Sequence, residues 1–345
     1  MSKTQIRRVI TFLPVLAFLL LLSSHGRAIA GTPTELKFAS ISAPDHVLNV
    51  KVHTPWIEQV QKATNNQVKI TLFPGGILGG AKQAYDLAAQ GIADISYGWV
   101  HYHPGRFPLS EVYTLPGVVP NVRTAYHNWE VYHKYLTKEW ADTKLLWLGF
   151  NAGMAVMTRD KQIRTLEDFK GLKLAIQGSS AAKIARALGA VPVDVNTQDV
   201  YTAVQRKVVD GTFNSFSSSA ANKFGEVMKY YTTNAALYTS PCFAVMNLDR
   251  YNNLPPDIRK VIDESTGQRQ WDLVSRVYWD AEEEGVQSLT RQSAGKAVFY
   301  NLPLDMTRQI RTLMKPIWDE WTNAMQSKGL PGKQVLDSVA GFIEE

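Results

Sequence analysis

"VKITLFPGGILGGAKQAYDLAAQGIADISYGW", residues 68–99, joins an apolar β-branched run, a turn with four glycines, a segment with helical spacing and a second apolar run. This order of strand, turn, helix and strand is typical of a mostly parallel sheet covered by helices. Further strand-like runs are found at 35–41, 143–151, 172–177, 191–195 and 240–248. The sequence therefore predicts an α/β fold.

Helical spacing predicts long helices at 123–141, at 256–293 and from Leu304 onward. In the last helix one apolar stripe indicates packing in a core or between lobes, rather than a ligand site. The stripe consists of Met306, Ile310, Leu313, Ile317, Trp318, Trp321 and Met325.

The first thirty residues have the three parts of a secretory signal peptide: a cationic start, the apolar run 9–22 and Ala-Ile-Ala at 28–30. The apolar run contains Pro14 and is shorter than the roughly 20 residues that span a bilayer. We therefore expect residues 1–30 to be removed on export, and we expect no membrane-spanning segment.

Loss of this peptide would change the charge of the chain. It carries Lys3, Arg7, Arg8 and Arg27 and no acidic residue, so the formal net charge falls from +6 to +2. A nearly neutral chain without a basic run gives no indication of nucleic-acid binding.

Cys242 is the only cysteine, which excludes an intramolecular disulfide and thiolate metal clusters. The chain that remains is longer than a domain with one hydrophobic core usually is, so we expect two lobes.

The glycine turn does not match a nucleotide-binding loop. Gly80 is followed by Ala81, Lys82 and Gln83, whereas a phosphate-binding loop needs Lys directly after its last glycine. His101 and His103 flank Tyr102 without a third metal ligand. The acidic run 281–285 is interpreted as a solvated helix face. No catalytic pair, metal site or cofactor motif is evident, so we expect a binding protein without cofactor or metal.

Ligands of open α/β sheets bind beyond the carboxyl ends of the strands. The glycine turn, the end of "SYGW" (96–99) and the ends of "KLAIQ" (173–177) and "DGTFN" (210–214) all occupy such positions. We expect them to line a cleft between the two lobes.

Several segments then resemble one family in the right order: 72–98, "GRFPLSEVYTLPG" (105–117), "TLEDFKGLKL" (165–174) and 187–211. They are similar to the solute-binding subunit (DctP-type) of tripartite ATP-independent periplasmic (TRAP) transporters. The resemblance implies a two-lobed periplasmic-binding-protein fold with a hinge and an interlobe ligand cleft. With it we expect residues 31–152 and 241–280 to form lobe I, and residues 153–240 and 281–345 to form lobe II.

The resemblance also implies a periplasmic protein that captures a small solute and delivers it to the membrane subunits of a TRAP permease, and that catalyses no reaction. A solute-binding protein that reports to a membrane receptor remains an alternative, because the two roles share one fold.

Most members of this family bind organic acids through an arginine that follows "GLKL", and here Ala175 stands at that position. A second arginine position falls at or near Ala155, and Ala81 replaces a polar residue after the glycine turn. Trp99 stands where some members have a polar contact, whereas Asn214 matches a family position that faces the ligand.

These departures favour an aromatic or largely uncharged solute. Two alanines would leave open volume, and ring contacts would come from Trp99. The other expected ligand contacts are Phe213, Tyr102 and His101 and the amide side chains of Gln177, Asn196 and Asn214. The alternative is a carboxylate held by another cation, for which Lys82, Arg159 and a protonated His101 are candidates.

Overall fold

The computed structural model describes residues 33–118, 128–235 and 237–340. The predicted signal peptide and part of the helix expected at 123–141 lie outside these ranges. The strands are β1 (Thr34–Ser40), β2 (Val68–Phe73), β3 (Ile95–Trp99), β4 (Thr143–Phe150), β5 (Ala155–Thr158), β6 (Lys173–Ile176), β7 (Val191–Asp194), β8 (Gly211–Asn214), β9 (Tyr230–Thr232), β10 (Pro241–Asn247) and β11 (Val298–Tyr300).

The α-helices alternate with these strands in the first two thirds of the chain and dominate its end. They are α1 (Thr54–Ala63), α2 (Ala84–Ala89), α3 (Asn128–Val131), α4 (Ser179–Ala187), α5 (Thr197–Gln205), α6 (Phe216–Ala221), α7 (Leu248–Asn252), α8 (Pro256–Ser265), α9 (Gln268–Gln292), α10 (Leu304–Ser327) and α11 (Gly332–Ala340). Shorter 3₁₀ and π-helical turns connect several of them.

Sheet 1 has the strand order β2-β1-β3-β10-β4 and forms the centre of lobe I. β1 is parallel to β2 and β3, whereas β10 is antiparallel to both of its neighbours. In β2 the side chains of Val68 and Ile70 are buried and those of Lys69 and Thr71 are exposed. Successive side chains of a strand point to opposite faces, which explains this alternation. The apolar residues of the segment 68–99 thus determine which face of β2 is buried.

Sheet 2 has the order β11-β9-β5-β8-β6-β7 and forms the centre of lobe II. β6 lies parallel between β7 and β8, and β5 lies antiparallel between β8 and β9. Two sheets with their own hydrophobic clusters on both faces give a two-lobed α/β protein, as the sequence predicts.

Two crossover segments connect the sheets, and residues 151–154 of the first lie beside residues 237–240 of the second. The amide of Met154 donates to the carbonyl of Tyr238 at 3.0 Å, and the amide of Ser240 donates to Asn151 Oδ1 at 2.7 Å. The amide of Asn151 also donates to the carbonyl of Ser240 at 3.4 Å. Together these crossovers form a hinge.

Two long helices also cross between the lobes. In α9, Tyr278 packs in a cluster with sheet 1, whereas Leu289 packs in a cluster with sheet 2. In α10, Ile310 belongs to a cluster of sheet 2, and Trp321 and Met325 belong to a cluster of sheet 1. Each helix therefore buries apolar side chains in both lobes.

These crossings bear on the expected lobe boundaries. The boundaries after 152 and 240 lie in or beside the crossover segments, and the boundary after 280 lies within α9. Val335 and Val339 of α11 pack with Phe150 and Phe243 of sheet 1. The division of the chain at these residues stays a prediction.

Two of the predicted helices differ in detail from those in the structure. The helix expected at 256–293 is divided at Gly267, whose φ is 76° and whose amide donates to the carbonyl of Leu146 at 2.8 Å. The chain therefore docks on β4 before α9 begins. In α10, Leu313 is 38% exposed and Met314 is fully buried, so the assignment of Leu313 to the buried stripe is wrong.

Gly285 lets α9 approach the first turn of α6 closely. A Cβ atom at this position would lie 2.6 Å from the carbonyl carbon of Phe216 and 2.6 Å from the amide nitrogen of Ser217. Both of those atoms belong to the backbone, so the contact can be relieved only by moving one helix. The spacing between α9 and α6 thus depends on the absence of a side chain at 285.

We expect Gly285→Ala to lower the free energy of unfolding. Overpacking costs about 1–3 kcal/mol, and the gain in helix propensity offsets at most about 1 kcal/mol of it. Thermal melting should show a Tm several degrees below that of the unmodified protein. Gly80→Ala is the matched control, because its Cβ would have no neighbour within 4 Å and its φ is −73°. An equal Tm for the two variants would contradict the proposed packing.

Candidate ligand-binding site

Aromatic rings form a continuous wall at the carboxyl end of β3 in lobe I. Trp99 is half-buried, and its ring centroid lies 5.7 Å from that of Tyr278 and 5.9 Å from that of His101. The ring of Tyr102 follows at 4.1 Å from that of His101. Three of these rings were expected from the sequence, and Tyr278 comes from α9. We call these four residues the ring wall.

His101 is fixed to the hinge. Its Nδ1 lies 2.5 Å from Oγ of Ser240, which belongs to the second crossover segment. One side of the ring is accessible to solvent, but protein atoms surround the rest, and this loss of hydration lowers the pKa of His101 to about 4. His103 contributes a smaller lowering. His101 is therefore neutral near pH 7.

The glycine turn docks against the end of β1. The amides of Gly75 and Gly76 donate to the carbonyls of Ser42 and Ser40 at 2.7 and 2.9 Å. Both glycines have positive φ, 73° and 71°, which L side chains rarely adopt. Because these amides are engaged within the protein, they do not form a phosphate-binding nest. Ala81 follows, half-buried at the start of a 3₁₀ turn.

Ala155 and Ala175, the two positions compared with family arginines in the sequence analysis, share one face of sheet 2 with Asn214. Ala155 pairs with Asn214, and Ala175 pairs with Thr212. Ala175 is 0% exposed and packs in a cluster with Val200. The volume expected next to the two alanines is thus occupied by neighbouring apolar side chains rather than left open.

Phe213 lies on the other face of the same sheet. It is 2% exposed and packs in a hydrophobic cluster with Val156 and Leu174, beneath α4 and α10. Adjacent residues of a strand point to opposite faces, so Phe213 and Asn214 point in opposite directions. The structure brings Asn214, and not the ring of Phe213, to the face that carries the two alanines.

Three amide side chains lie at the carboxyl ends of neighbouring strands, as the sequence predicts. Gln177 follows β6, and its Nε2 donates to the carbonyl of Val195 at 2.8 Å. Asn196 follows β7 and is exposed, and Asn214 ends β8 and is half-buried. The Oδ1 of Asn214 accepts from the amide of Ser215 at 2.9 Å. This edge of lobe II offers neutral hydrogen-bonding groups.

Glu282 holds the segment that follows Asn214. Its carboxylate accepts from the amides of Phe216 and Ser217 at 2.7 and 3.0 Å, and from Oγ of Ser217 at 2.5 Å. Burial raises the pKa of Glu282, and these hydrogen bonds partly offset the rise. The interpretation of 281–285 as a purely solvated face is therefore wrong for Glu282, whose contacts lie over sixty residues away in sequence.

The candidate cations differ in position. Arg159 follows β5 at the end where Thr158 pairs with Gly211, which is the opposite end of the strand from Asn214. It pairs with Asp160 and donates to the carbonyl of Val204 at 3.0 Å. Lys82 is exposed beside Ala81 and makes no ion pair within the described part of the chain. Of the three candidates, Lys82 is the cation placed near the glycine turn.

Within residues 33–118, 128–235 and 237–340, no helix combines the length and apolar character needed to cross a bilayer. No three His, Cys, Asp or Glu side chains in them come together in a way that could hold a metal ion.

Two α/β lobes joined by a hinge of paired crossovers are the architecture of a two-lobed solute-binding protein. The profile of the bacterial extracellular solute-binding protein family 7 (DctP) matches residues 38–324, and the chain belongs to this family. This confirms the resemblance to TRAP solute-binding subunits. Such subunits are non-enzymatic components of transport, so the protein is not an enzyme.

The similar proteins include the C4-dicarboxylate-binding periplasmic protein DctP of Rhodobacter capsulatus, 26% identical over 84% of this chain and 86% of that protein. A TRAP solute-binding protein from Rhodoferax ferrireducens, in complex with copurified benzoate, is 29% identical with a TM-score of 0.81 over 90% of this chain and 98% of that one. A further TRAP solute-binding protein, from Desulfovibrio salexigens, is 28% identical. Its TM-score is 0.83, and the alignment covers 90% of this chain and 96% of that one.

We expect Trp99→Ala to weaken solute binding at least tenfold, about 1.4 kcal/mol, because a ring-to-ring contact adds about 0.5–1.5 kcal/mol to the area buried. The Tm should change little, since Trp99 is only half-buried. Calorimetric titration with the solute that copurifies would measure the effect. Tyr251→Ala is the control, a partly buried ring that contacts Asp263 and Lys144 instead. Unchanged affinity in Trp99→Ala would remove Trp99 from the site.

Because the pKa of His101 is about 4, we expect solute affinity to vary less than about twofold between pH 6 and pH 8. If a protonated His101 bound a carboxylate, affinity would fall about tenfold per pH unit above its pKa. Titrations at pH 6, 7 and 8 with the unmodified protein and His101→Gln distinguish the two cases. A steep decline that disappears in His101→Gln would make His101 the missing cation.

Proposed function

We propose that this TRAP solute-binding protein captures a small aromatic, largely uncharged solute between its lobes in the periplasm and delivers it to a TRAP-type permease. The proposal is supported by two separate features: the ring wall at the end of β3 in lobe I, and the amides of Gln177, Asn196 and Asn214 at strand ends in lobe II, with alanine at 155 and 175. Residues 1–30 would direct export and be cleaved.

Capture follows from the hinge. A solute that contacts the ring wall and the amides at once binds the closed arrangement more tightly than the open one, and so it shifts the population toward closure. The permease would then distinguish loaded from empty protein by the relative position of the lobes. The protein contributes binding free energy and shape, and no bond of the solute is changed.

The charge of the solute follows from the positions of the cations. A carboxylate buried without its partner costs about 3–5 kcal/mol, which corresponds to roughly two to four decades of affinity. Neither Ala155 nor Ala175 can supply a charge, and Arg159 lies at the far end of its strand. A neutral solute that forms hydrogen bonds with amide side chains avoids this cost.

An aromatic carboxylate is the second candidate, and one observation favours it. The Rhodoferax ferrireducens protein, 29% identical, is in complex with copurified benzoate. In the present protein such an acid would need the exposed Lys82 to move toward it. Both candidates share the aromatic ring, and they differ in the charge of its substituent.

Mass spectrometry of the solute retained through purification, followed by titration with benzamide and benzoate, tests the proposal. These two compounds share a ring and differ in charge. We expect benzamide to bind at least about tenfold more tightly than benzoate, in line with an unpaired carboxylate. We also expect Lys82→Gln to leave the affinity of benzamide unchanged.

Lys62→Gln is the control for Lys82→Gln, because Lys62 is an exposed lysine at the end of α1. Tighter binding of benzoate that is lost in Lys82→Gln alone would establish the aromatic acid instead. A retained solute without an aromatic ring, together with no binding of either compound, would overturn both candidates.

A further inference from the structure

A second concave site lies between α9 and α10. It is a cavity of about 920 Å³, within the range of about 300–1,000 Å³ typical of ligand pockets. The crossover residues 152–154 and the segment 233–235 line its inner side. Phe216 and Val286 line one flank, and Leu304, Ile310 and Met314 of α10 line the other. We call it the rear cavity.

The rear cavity is separate from the predicted cleft. Strands β4 and β9 lie toward one side of their sheets, and the crossovers that leave them border the cavity. Most of the residues predicted to bind the solute lie at the ends of β3, β6, β7 and β8 instead. None of them lines the cavity wall as far as the structure describes it.

The charge of the cavity comes from two arginines. Arg308 and Arg311 line it from the same face of α10, where residues three apart are neighbours. Arg311 is half-buried and Arg308 is exposed, and neither guanidinium group makes an ion pair or a hydrogen bond within residues 33–118, 128–235 and 237–340. Two guanidinium groups without an acidic partner provide a set of fixed donors for an oxyanion.

The acidic residues of the wall do not neutralise these arginines. The carboxylate of Glu282 accepts hydrogen bonds from Phe216 and Ser217 and is directed at α6. Glu283 is exposed, where solvent and salt screen its charge. The opposing flank is apolar at Phe216 and Val286. The cavity thus combines a cationic side with an apolar body.

We propose that the rear cavity is a second binding site, for an amphipathic organic anion. Its carboxylate or sulfonate group would pair with Arg308 and Arg311, and its apolar or aromatic body would pack on Phe216, Val286 and Leu304. The rear cavity and the predicted cleft share no residue. The proposal does not depend on the identity of the transported solute.

8-Anilinonaphthalene-1-sulfonate is a suitable probe, because it carries a sulfonate on an aromatic body and fluoresces strongly when bound in apolar surroundings. We expect saturable binding with a stoichiometry of one. The double variant Arg308→Gln/Arg311→Gln should weaken it at least about tenfold, since both ionic contacts are removed. Thr307→Trp, which fills the cavity without changing its charge, should abolish binding while the far-UV circular dichroism is retained.

The matched control is Arg186→Gln/Arg291→Gln, which removes the same charge from two exposed arginines on α4 and α9. It should leave probe affinity within about twofold, and so should Trp99→Ala in the cleft. Equal probe affinity in the Arg308/Arg311 variant and its control would overturn the proposal. Loss of probe binding in Trp99→Ala would place the probe in the cleft and would overturn it equally.

Discussion

The hydrogen bonds between the two crossover segments are the constraint on which the two-lobed structure depends. Asn151 and Met154 of the first segment bond to Ser240 and Tyr238 of the second, so two extended strands act as one hinge. A paired hinge can bend and twist but cannot separate, which restricts the lobes to opening and closing around one region. Since Ser240 also contacts His101, the hinge and the ring wall are mechanically connected.

The side chains that we expect to line the cleft are uncharged. His101 is uncharged because burial lowers its pKa to about 4, and the alanines at 155 and 175 carry no charge. Glu282 uses its carboxylate on the backbone of α6 rather than on a ligand. Under the proposed function, the cleft therefore binds a ring without the electrostatic selection for acids that an arginine pair imposes.

The sequence predicts most of the fold because its signals are local. Alternation specifies β2, the glycines at 75 and 76 specify a turn with positive φ, and helical spacing specifies α10. What it misses depends on contacts between distant segments. Glu282 contacts residues 216 and 217, Tyr278 joins Trp99, and Ala175 is covered by Val200 of α5. Phe213 could have been excluded from the sequence alone, because adjacent residues of a strand point to opposite faces and Asn214 is its neighbour.

The rear cavity is lined by residues of both crossovers and of the helices α9 and α10, all of which pass from one lobe to the other. A change in the relative position of the lobes would therefore change the walls of the cavity. If an anion bound between α9 and α10 had different affinities for two arrangements of the lobes, the cleft would show a difference of equal size in its affinity for the solute. The occupancy of the rear cavity and that of the cleft would then be thermodynamically linked through the hinge.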